Sequence, residues 1–457
     1  MNVLISLTAL GIIAMFSTIF KWRAALLPVT LIGLGGSLFL AITLWNTDAE
    51  FFNSIRMDNF AIAFSAVCIS GAIFSIIFYH KFFYRDDAHF AEVFAIILFS
   101  LVGAVVMVSF TNLLMLFLGV EILSLSLYIL AGLRKRDILS NEAALKYFLM
   151  GAFSTGFLLF GIAMLYGATG SFLLTEIELY LRNQVNSTQP FMVSGILLLM
   201  VGLMFKVAAA PFHFWTPDVY QGSPTLVTGY MATVGKVAAF AAFLRLFQFA
   251  FAPTQDTYQV IIATVAVVTM FTGNILAIYQ SSIKRMLAYS SISHAGYMLI
   301  AIMASNNLAN SAVLYYSIAY TVASLPAFVI VLIIQGNRMN DSNTSFDGLS
   351  KQNPVLAFVF AVSMVSLSGI PPTAGFFAKF YIFSSAVKDG WLWVVLLAVV
   401  NSFISVYYYF RPIIASYMKT SDHPKIPVNA TTQALLIFLT ILTLVFGLFP
   451  GIFTGII

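Results

Sequence analysis

Runs of about twenty apolar residues recur along this chain, each long enough to cross a bilayer as a helix that satisfies its own backbone in hydrocarbon. Windows of that length mark fourteen spans, at 2–20, 24–45, 58–80, 90–109, 111–133, 141–167, 191–212, 225–250, 257–279, 285–304, 308–335, 353–385, 390–416 and 430–455. Of the 457 residues, 61% are hydrophobic and only 9% charged, against roughly 25% charged in soluble domains. The expected fold is therefore an all-α polytopic membrane protein. The N-terminal stretch MNVLISLTALGIIAMFSTIFKWR has no positive residue before its apolar run and carries Lys21 and Arg23 after it, which reads as a retained first span rather than a cleaved signal.

Positive charge in the loops sets the orientation. One alternating set of loops carries Lys21, Arg23, Lys81, Arg85, Arg134, Lys135, Arg136, Lys284, Arg285, Arg338, Lys351, Lys419 and Lys425, while the other carries only Arg56, Arg182 and Lys388. Both termini are therefore expected on the external side. The bias also supports the number of spans, since one missed span would scatter these charges over both sides. It accounts as well for the sequence pI near 9.1 without invoking nucleic acid. Cys68 is the only cysteine and the five histidines are scattered, so neither a disulfide nor a metal or haem spacing is present, and any redox cofactor would sit in other chains. The stretch GLGGS at 33–37 falls within a span, follows no strand and reads as close helix packing.

Two spans are interrupted. The seventh, FKVAAAPFHFWTPDVYQGSP (205–224), meets Pro211 and Pro217; the twelfth, SGIPPTAGFFAKF (368–380), meets Gly369, Pro371 and Pro372. Proline removes a backbone donor and crowds the preceding turn, and non-helical backbone survives at membrane depth only where protein or trapped water satisfies it. Pro326 in the eleventh span reads as an ordinary packing kink. The broken spans lie five apart and run in opposite directions, as in two inverted five-helix repeats, spans 4–8 and 9–13, whose broken helices mark an ion pathway. The corresponding organisation is a three-span segment 1–88, a first repeat 89–250, an inverted second repeat 251–416 and a last span 417–457.

Six cations fall within spans: Lys146, Lys206, Lys236, Arg245, Lys379 and Arg411. A lysine at the centre of a span costs about 2.5–3.5 kcal/mol on insertion scales, so several of them need compensation. Glu121, the one acid placed deep in a span, is expected to pair with Lys206. A carboxylate about 4 Å from an ammonium is worth roughly 4 kcal/mol at an effective dielectric near 20, about a thousandfold in proton affinity. Moving Glu121 towards or away from Lys206 would thus switch that lysine between holding and releasing a proton. Lys236 is flanked by small residues that leave room for water, and Lys379 follows the second break; both read as relay sites. His213, seven residues beyond Lys206 on the same helical face, is a next stop for a proton or a hydrogen-bonded helix-end histidine. His294, among Tyr289, Ser290, Ser291, Ser293 and Tyr297, belongs either to a hydrated path or to interhelical polar packing. Lys146 has Glu142 at i−4, so a local ion pair competes with a relay role. Arg245 and Arg411 lie near span ends, can snorkel, and are poor proton carriers.

These residues carry a family resemblance. FKVAAAPFHFWTPDVYQGSPTLVTGYMATVGKVAAF, IKRMLAYSSISHAGYM and SLSGIPPTAGFFAKFY closely resemble the antiporter-like membrane subunits of respiratory complex I, the proton-pumping NADH–quinone oxidoreductase. The resemblance extends over the whole chain. Its loop TPDVYQGSP, the absence of a lateral helix after the fourteenth span and a lysine at 379 make it most similar to the N-type subunits, the group that includes mitochondrial subunit 2. The resemblance implies proton translocation through Glu121, Lys206, His213, Lys236 and Lys379, with Lys146 and His294 on the same polar axis. It also implies NADH, FMN, iron–sulfur clusters and quinone in other membrane-arm and hydrophilic-arm subunits, none bound by this chain, and a bacterial inner-membrane location. Related subunits occur in multisubunit sodium/proton antiporters and in photosynthetic and hydrogenase-type complexes, which form the alternative reading beside a purely structural scaffold.

Overall fold

The computed structural model describes every residue except 18, 21, 84–89, 184–189, 305, 422, 454, 456 and 457. Lys21 and Arg85, two of the loop cations counted above, lie outside the described residues. The chain begins with α1 (Asn2–Ser17), α2 (Arg23–Ile42) and, after a short hairpin, α3 (Asn59–Phe83). It continues through α4 (Phe90–Ser109), α5 (Leu113–Ala131), α6 (Ile138–Thr169), α7 (Leu174–Asn183), α8 (Pro190–Val207) and α9 (Trp215–Gly222). Helices α10 (Thr225–Tyr230) and α11 (Lys236–Arg245) are joined by the π-helical turn Met231–Gly235 into one span, Thr225–Ala250. Then come α12 (Gln255–Ile278), α13 (Ile283–Ala304), α14 (Asn307–Arg338), the single turn α15 (Leu349–Gln352), α16 (Pro354–Ser368), α17 (Ala374–Lys388), α18 (Leu392–Met418) and α19 (Ala430–Leu448).

Among the described residues, twelve helical segments are long and apolar enough to cross a membrane. Two expected spans fall short. Helix α1 has 16 residues, and the twelfth expected span is divided into α16 and α17, each of 15 residues. The seventh is shortened, since α8 ends at Val207 rather than near 212. Helix α14 passes through Pro326 without ending, as a packing kink would. The chain is not wholly α-helical: β1 (Ala49–Phe51) and β2 (Ile55–Met57) pair antiparallel with Glu50 opposite Arg56. Outside the apolar runs a backbone can be satisfied by a ladder as readily as by a helix, and bonds from Arg56 to Asp48 at 2.7 Å hold the Asp48 carboxyl below the usual carboxylate range. Helix α7 is amphipathic, with Arg182 bonded to Glu178 at 2.6 Å.

The connectors before α3, between α4 and α5, and before α7 meet at one end of the bundle, through bridges Ile55 to Phe110 and Asn112 to Leu173. Arg245 reaches the same end and pairs with Asp58 at 2.7 Å. Its side chain is only 10% exposed, so its charge is held by Asp58 within the protein. The span Thr225–Ala250 and helix α13 are each 94% buried, whereas α2 is 28% buried. The bundle is therefore centred on α10, α11 and α13, with α2 facing outward.

Lipid tails are as apolar as leucine, so close helix contact depends on small residues that admit backbone against backbone. At Gly273 on α12, a Cβ would stand 2.5 Å from the Ser293 amide nitrogen of α13. Gly273→Val is therefore expected to force α12 from α13 and to reduce the amount of correctly folded protein, while Gly36→Val, where a Cβ would meet nothing within 4 Å, leaves it unchanged. Fluorescence-detected size-exclusion chromatography with a thermal ramp measures both.

Candidate functional site

Both broken helices end in the same way. At the first break Ala208 adopts a left-handed φ of 62°, its amide bonds Phe205 O at 3.0 Å, and the next amide, Ala209, bonds Met204 O at 2.9 Å. At the second, Gly369 has φ 85°, its amide bonds Ser366 O at 3.0 Å, and Ile370 N bonds Val365 O at 3.2 Å. These are Schellman terminations, which satisfy the last carbonyls of a helix by reversing the chain. The freed polar groups beyond them find protein partners. Ala210 N donates to Thr269 Oγ1 of α12 at 2.9 Å and Trp215 Nε1 donates to Phe205 O at 3.2 Å. The irregular backbone at the first break thereby has protein partners for these polar groups.

Lys206 is the next-to-last residue of α8. Its Nζ donates to Ser124 Oγ at 2.8 Å and to the Tyr128 hydroxyl at 3.5 Å, both on α5. The expected ion pair with Glu121 is not formed, and Glu121 Oε1 is buried without a hydrogen-bond partner among the described residues. The lysine has instead engaged the residue one helical turn further along α5, where i and i+3 share a face. Lys206 and Lys236 line one cavity together with Ser124, Tyr147, Trp215 and Tyr220. Its volume of about 20 Å³ is enough for one water molecule.

Lys236 follows the π-helical turn Met231–Gly235, an irregularity that recurs at functional sites. Its Nζ donates to the carbonyl and the hydroxyl of Ser291 on α13. Lys379, on α17, reaches back across the second break: Nζ donates to Ser368 O, at the end of α16, at 2.7 Å and to Ser402 Oγ of α18 at 2.8 Å. A cation at a helix C-terminus is favoured by the carbonyl dipoles gathered there. It also lies 4.8 Å from the Tyr297 ring centroid. The Tyr297 hydroxyl is 3.4 Å from the Asn401 side chain, which faces Asn274 of α12. His294, on α13, is 5% exposed, with Nδ1 2.6 Å from the Tyr316 hydroxyl and Nε2 3.0 Å from the Tyr409 hydroxyl.

Two expected positions stand apart from this group. Lys146 pairs with Glu142 at 2.6 Å and with Asp218 at 2.7 Å, and its side chain is 40% exposed. Asp218 also binds Arg285 at 2.9 Å, so one carboxylate ties α6, α9 and α13 together. His213 is buried, but it is not on a helical face shared with Lys206, because α8 has ended and α9 has not begun. Its Nδ1 has no hydrogen-bond partner among the described residues. Lys284, expected in a loop, is buried within α13 and donates to Gln221 O at 3.0 Å and Ser223 O at 2.5 Å, closing the C-terminal end of α9.

The residues that sequence reasoning passed over are the neutral partners and the carboxylate of Asp218. Ser124 and Tyr128 share a face with Glu121 and could have been found from i+3 and i+7 spacing. Asp218 was visible as the acid of the first broken segment. Tyr316, Tyr409 and Ser402 carry no local signal, since they are brought in by distant helices.

The family described as "NADH:quinone oxidoreductase/Mrp antiporter, TM" matches residues 111–405, which include all seven candidate residues. NADH-quinone oxidoreductase subunit N of Flavobacterium psychrophilum is 41% identical over 455 residues, 99% of each chain. The chain belongs to the NADH-quinone oxidoreductase subunit N family. A chain in the structure of respiratory complex I from Thermus thermophilus with bound aureothin superposes with a TM-score of 0.85 at 34% identity, covering 98% of both chains. A chain of the Mrp complex from Dietzia also reaches a TM-score of 0.85, at 18% identity over 98% of this chain and 93% of that one, a likeness of fold alone. The family assignment therefore rests on the subunit N relatives.

Gly369 tests how tightly the second break holds its lysine. A Cβ there would stand 2.8 Å from Lys379 Cδ and 3.1 Å from Nζ, at a left-handed φ of 85°. Gly369→Ala is expected to cost about 1–3 kcal/mol in backbone strain and to displace the Lys379 amine from Ser368. A lowered melting temperature together with lost NADH-driven proton uptake is the result expected in proteoliposomes containing the whole complex.

Proposed function

We propose that this chain is a proton-translocating membrane subunit of NADH–quinone oxidoreductase, in which buried amines pass protons along the middle of the bilayer. The observation that carries the reading is the cavity shared by Lys206 and Lys236, which puts two amines on one water-sized space. Their hydrogen bonds, and those of Lys379, go to hydroxyl and carbonyl oxygens. Such partners orient an amine yet stabilise its charge less than a carboxylate does. Lys206 bonded to Ser124 is thus poised to give up a proton. Lys206 moved one turn along α5, to Glu121, whose Oε1 has no hydrogen-bond partner among the described residues, would hold one. The first break supplies that motion.

Electron transfer belongs to other subunits: NADH, FMN, iron–sulfur clusters and quinone are implied in the whole complex, and this chain contributes one proton channel to its membrane arm. Its partners are the neighbouring membrane-arm and hydrophilic-arm subunits, in a bacterial inner membrane. The proposed arrangement has fourteen spans, counting α1 as one and α16 with α17 as another. Two inverted five-helix repeats, residues 89–250 and 251–416, follow the segment 1–88 and precede 417–457. Repetition of the packing supports this: α4 lies on α5 as α12 lies on α13, and α6 on α8 as α14 on α16, with the break in the fourth member each time. The loop cations support both termini on the external side. Glu121, Lys206, Lys236, His294 and Lys379 are assigned to the path. His213 is assigned to the turn beneath the first break, and Lys146 to the ion pairs around Asp218.

Lys206→Ala and Lys236→Ala, each in the complete complex reconstituted into liposomes, test the reading. NADH-driven acidification is expected to fall by roughly tenfold or more with assembly intact on native gels. Normal pumping by both variants would overturn it.

A further inference from the structure

His294 sits where two helices each deliver a phenol to one of its nitrogens. Tyr316 from α14 is 2.6 Å from Nδ1, and Tyr409 from α18 is 3.0 Å from Nε2. The Tyr409 hydroxyl is in turn hydrogen bonded to Ser290 Oγ, one turn before His294 on α13 and next to Ser291, the residue that holds Lys236. On the other side, His294, Tyr316, Tyr320, Ser366 and Gly375 line a cavity of about 10 Å³, at the lower limit for a single water. Three more hydroxyls, Ser293 on α13 and Ser317 and Ser324 on α14, are buried without a partner among the described residues. The ring therefore joins the hydrogen-bonded pair Tyr409–Ser290 on one side to the small cavity beside the second broken helix on the other.

We propose that Tyr409 is a catalytic residue of proton transfer, passing the His294 proton to Ser290, with Tyr316 as the opposite donor. The proposal rests on the proton-path reading above. A neutral imidazole has one N–H and one lone pair, and a phenol can both donate and accept. The two tyrosines must therefore play opposite roles at any moment, one accepting from the ring and the other donating to it. Transfer follows from exchanging those roles. Tyr316 gives its hydroxyl proton to Nδ1 as it takes the excess proton of a protonated water in the small cavity, which is left as neutral water. The Nε2 proton moves to the Tyr409 oxygen, and the proton that Tyr409 held passes to Ser290 Oγ, which releases its own towards the neutral amine of Lys236, held by the adjacent Ser291. Every hydroxyl ends with one proton, the ring has changed tautomer, and one proton has crossed the joint. The ring and its hydroxyls must reorient before the next passage.

The test uses the complete complex in liposomes and compares Tyr409→Phe with Tyr407→Phe, whose residue on the same helix is 60% exposed. Tyr409→Phe keeps the ring and removes only the bridging oxygen. It is expected to assemble, to lower NADH-driven proton pumping several-fold, and to raise the solvent deuterium isotope effect on that rate. Tyr407→Phe is expected to change neither. Wild-type pumping in Tyr409→Phe, while Lys236→Ala is inactive, would overturn the relay and leave the path standing; normal pumping in both Lys206→Ala and Lys236→Ala would remove the path itself. Reduced pumping with an unchanged isotope effect would assign Tyr409 to packing and overturn the proposal. If Tyr409→Phe does not assemble, Tyr316→Phe, which interrupts the same transfer at the other nitrogen, is read against the same outcomes.

Discussion

The need to satisfy peptide groups within hydrocarbon governs this structure. A helix that stops inside a bilayer exposes carbonyls and amides that lipid cannot bind, and both interrupted spans meet that need first by reversing the chain and then by borrowing partners from neighbouring helices. Thr269 and Trp215 serve the first break, and Lys379 serves the second. The same polar groups that make the breaks tolerable create the only kind of environment in which a buried amine can persist. Structural repair and chemistry are one arrangement here.

The buried lysines differ from a static salt bridge in what opposes their charge. A carboxylate partner favours the ammonium, whereas a serine hydroxyl or a helix carbonyl binds either protonation state. Among the described residues, Glu121 Oε1 on α5 is buried without a hydrogen-bond partner, and Asp218 is shared by Lys146 and Arg285 near the ends of their helices. The ion pairs of Asp218 do not include Lys206, Lys236 or Lys379.

Much of this was legible in one dimension because hydrocarbon is an exacting solvent. Apolar run length found the long helices to within a few residues, and proline and glycine in otherwise apolar runs found both breaks. The lysines announced themselves by their cost at membrane depth. What could not be read was the state of contact. Glu121 and Lys206 were correctly placed on facing helices, yet a shift of one turn along α5 chose Ser124. His213 was misplaced because a helical face was extended through a segment that is not a helix. Lys284 looked like a loop cation because sequence shows a charge but not the carbonyls of α9 waiting for it. The tyrosines around His294 come from helices α14 and α18, and no local pattern links them.

The π-helical turn before Lys236 has a consequence for motion. Such a turn carries one surplus residue, and the surplus can migrate along a helix by exchanging one hydrogen bond at a time, as a ruck travels along a carpet. Its passage rotates the intervening side chains by about 100° while the cylinder stays in place. Lys236 directly follows that turn, so a shift of the surplus residue past it would change the direction of its side chain while its helix remains packed among its neighbours.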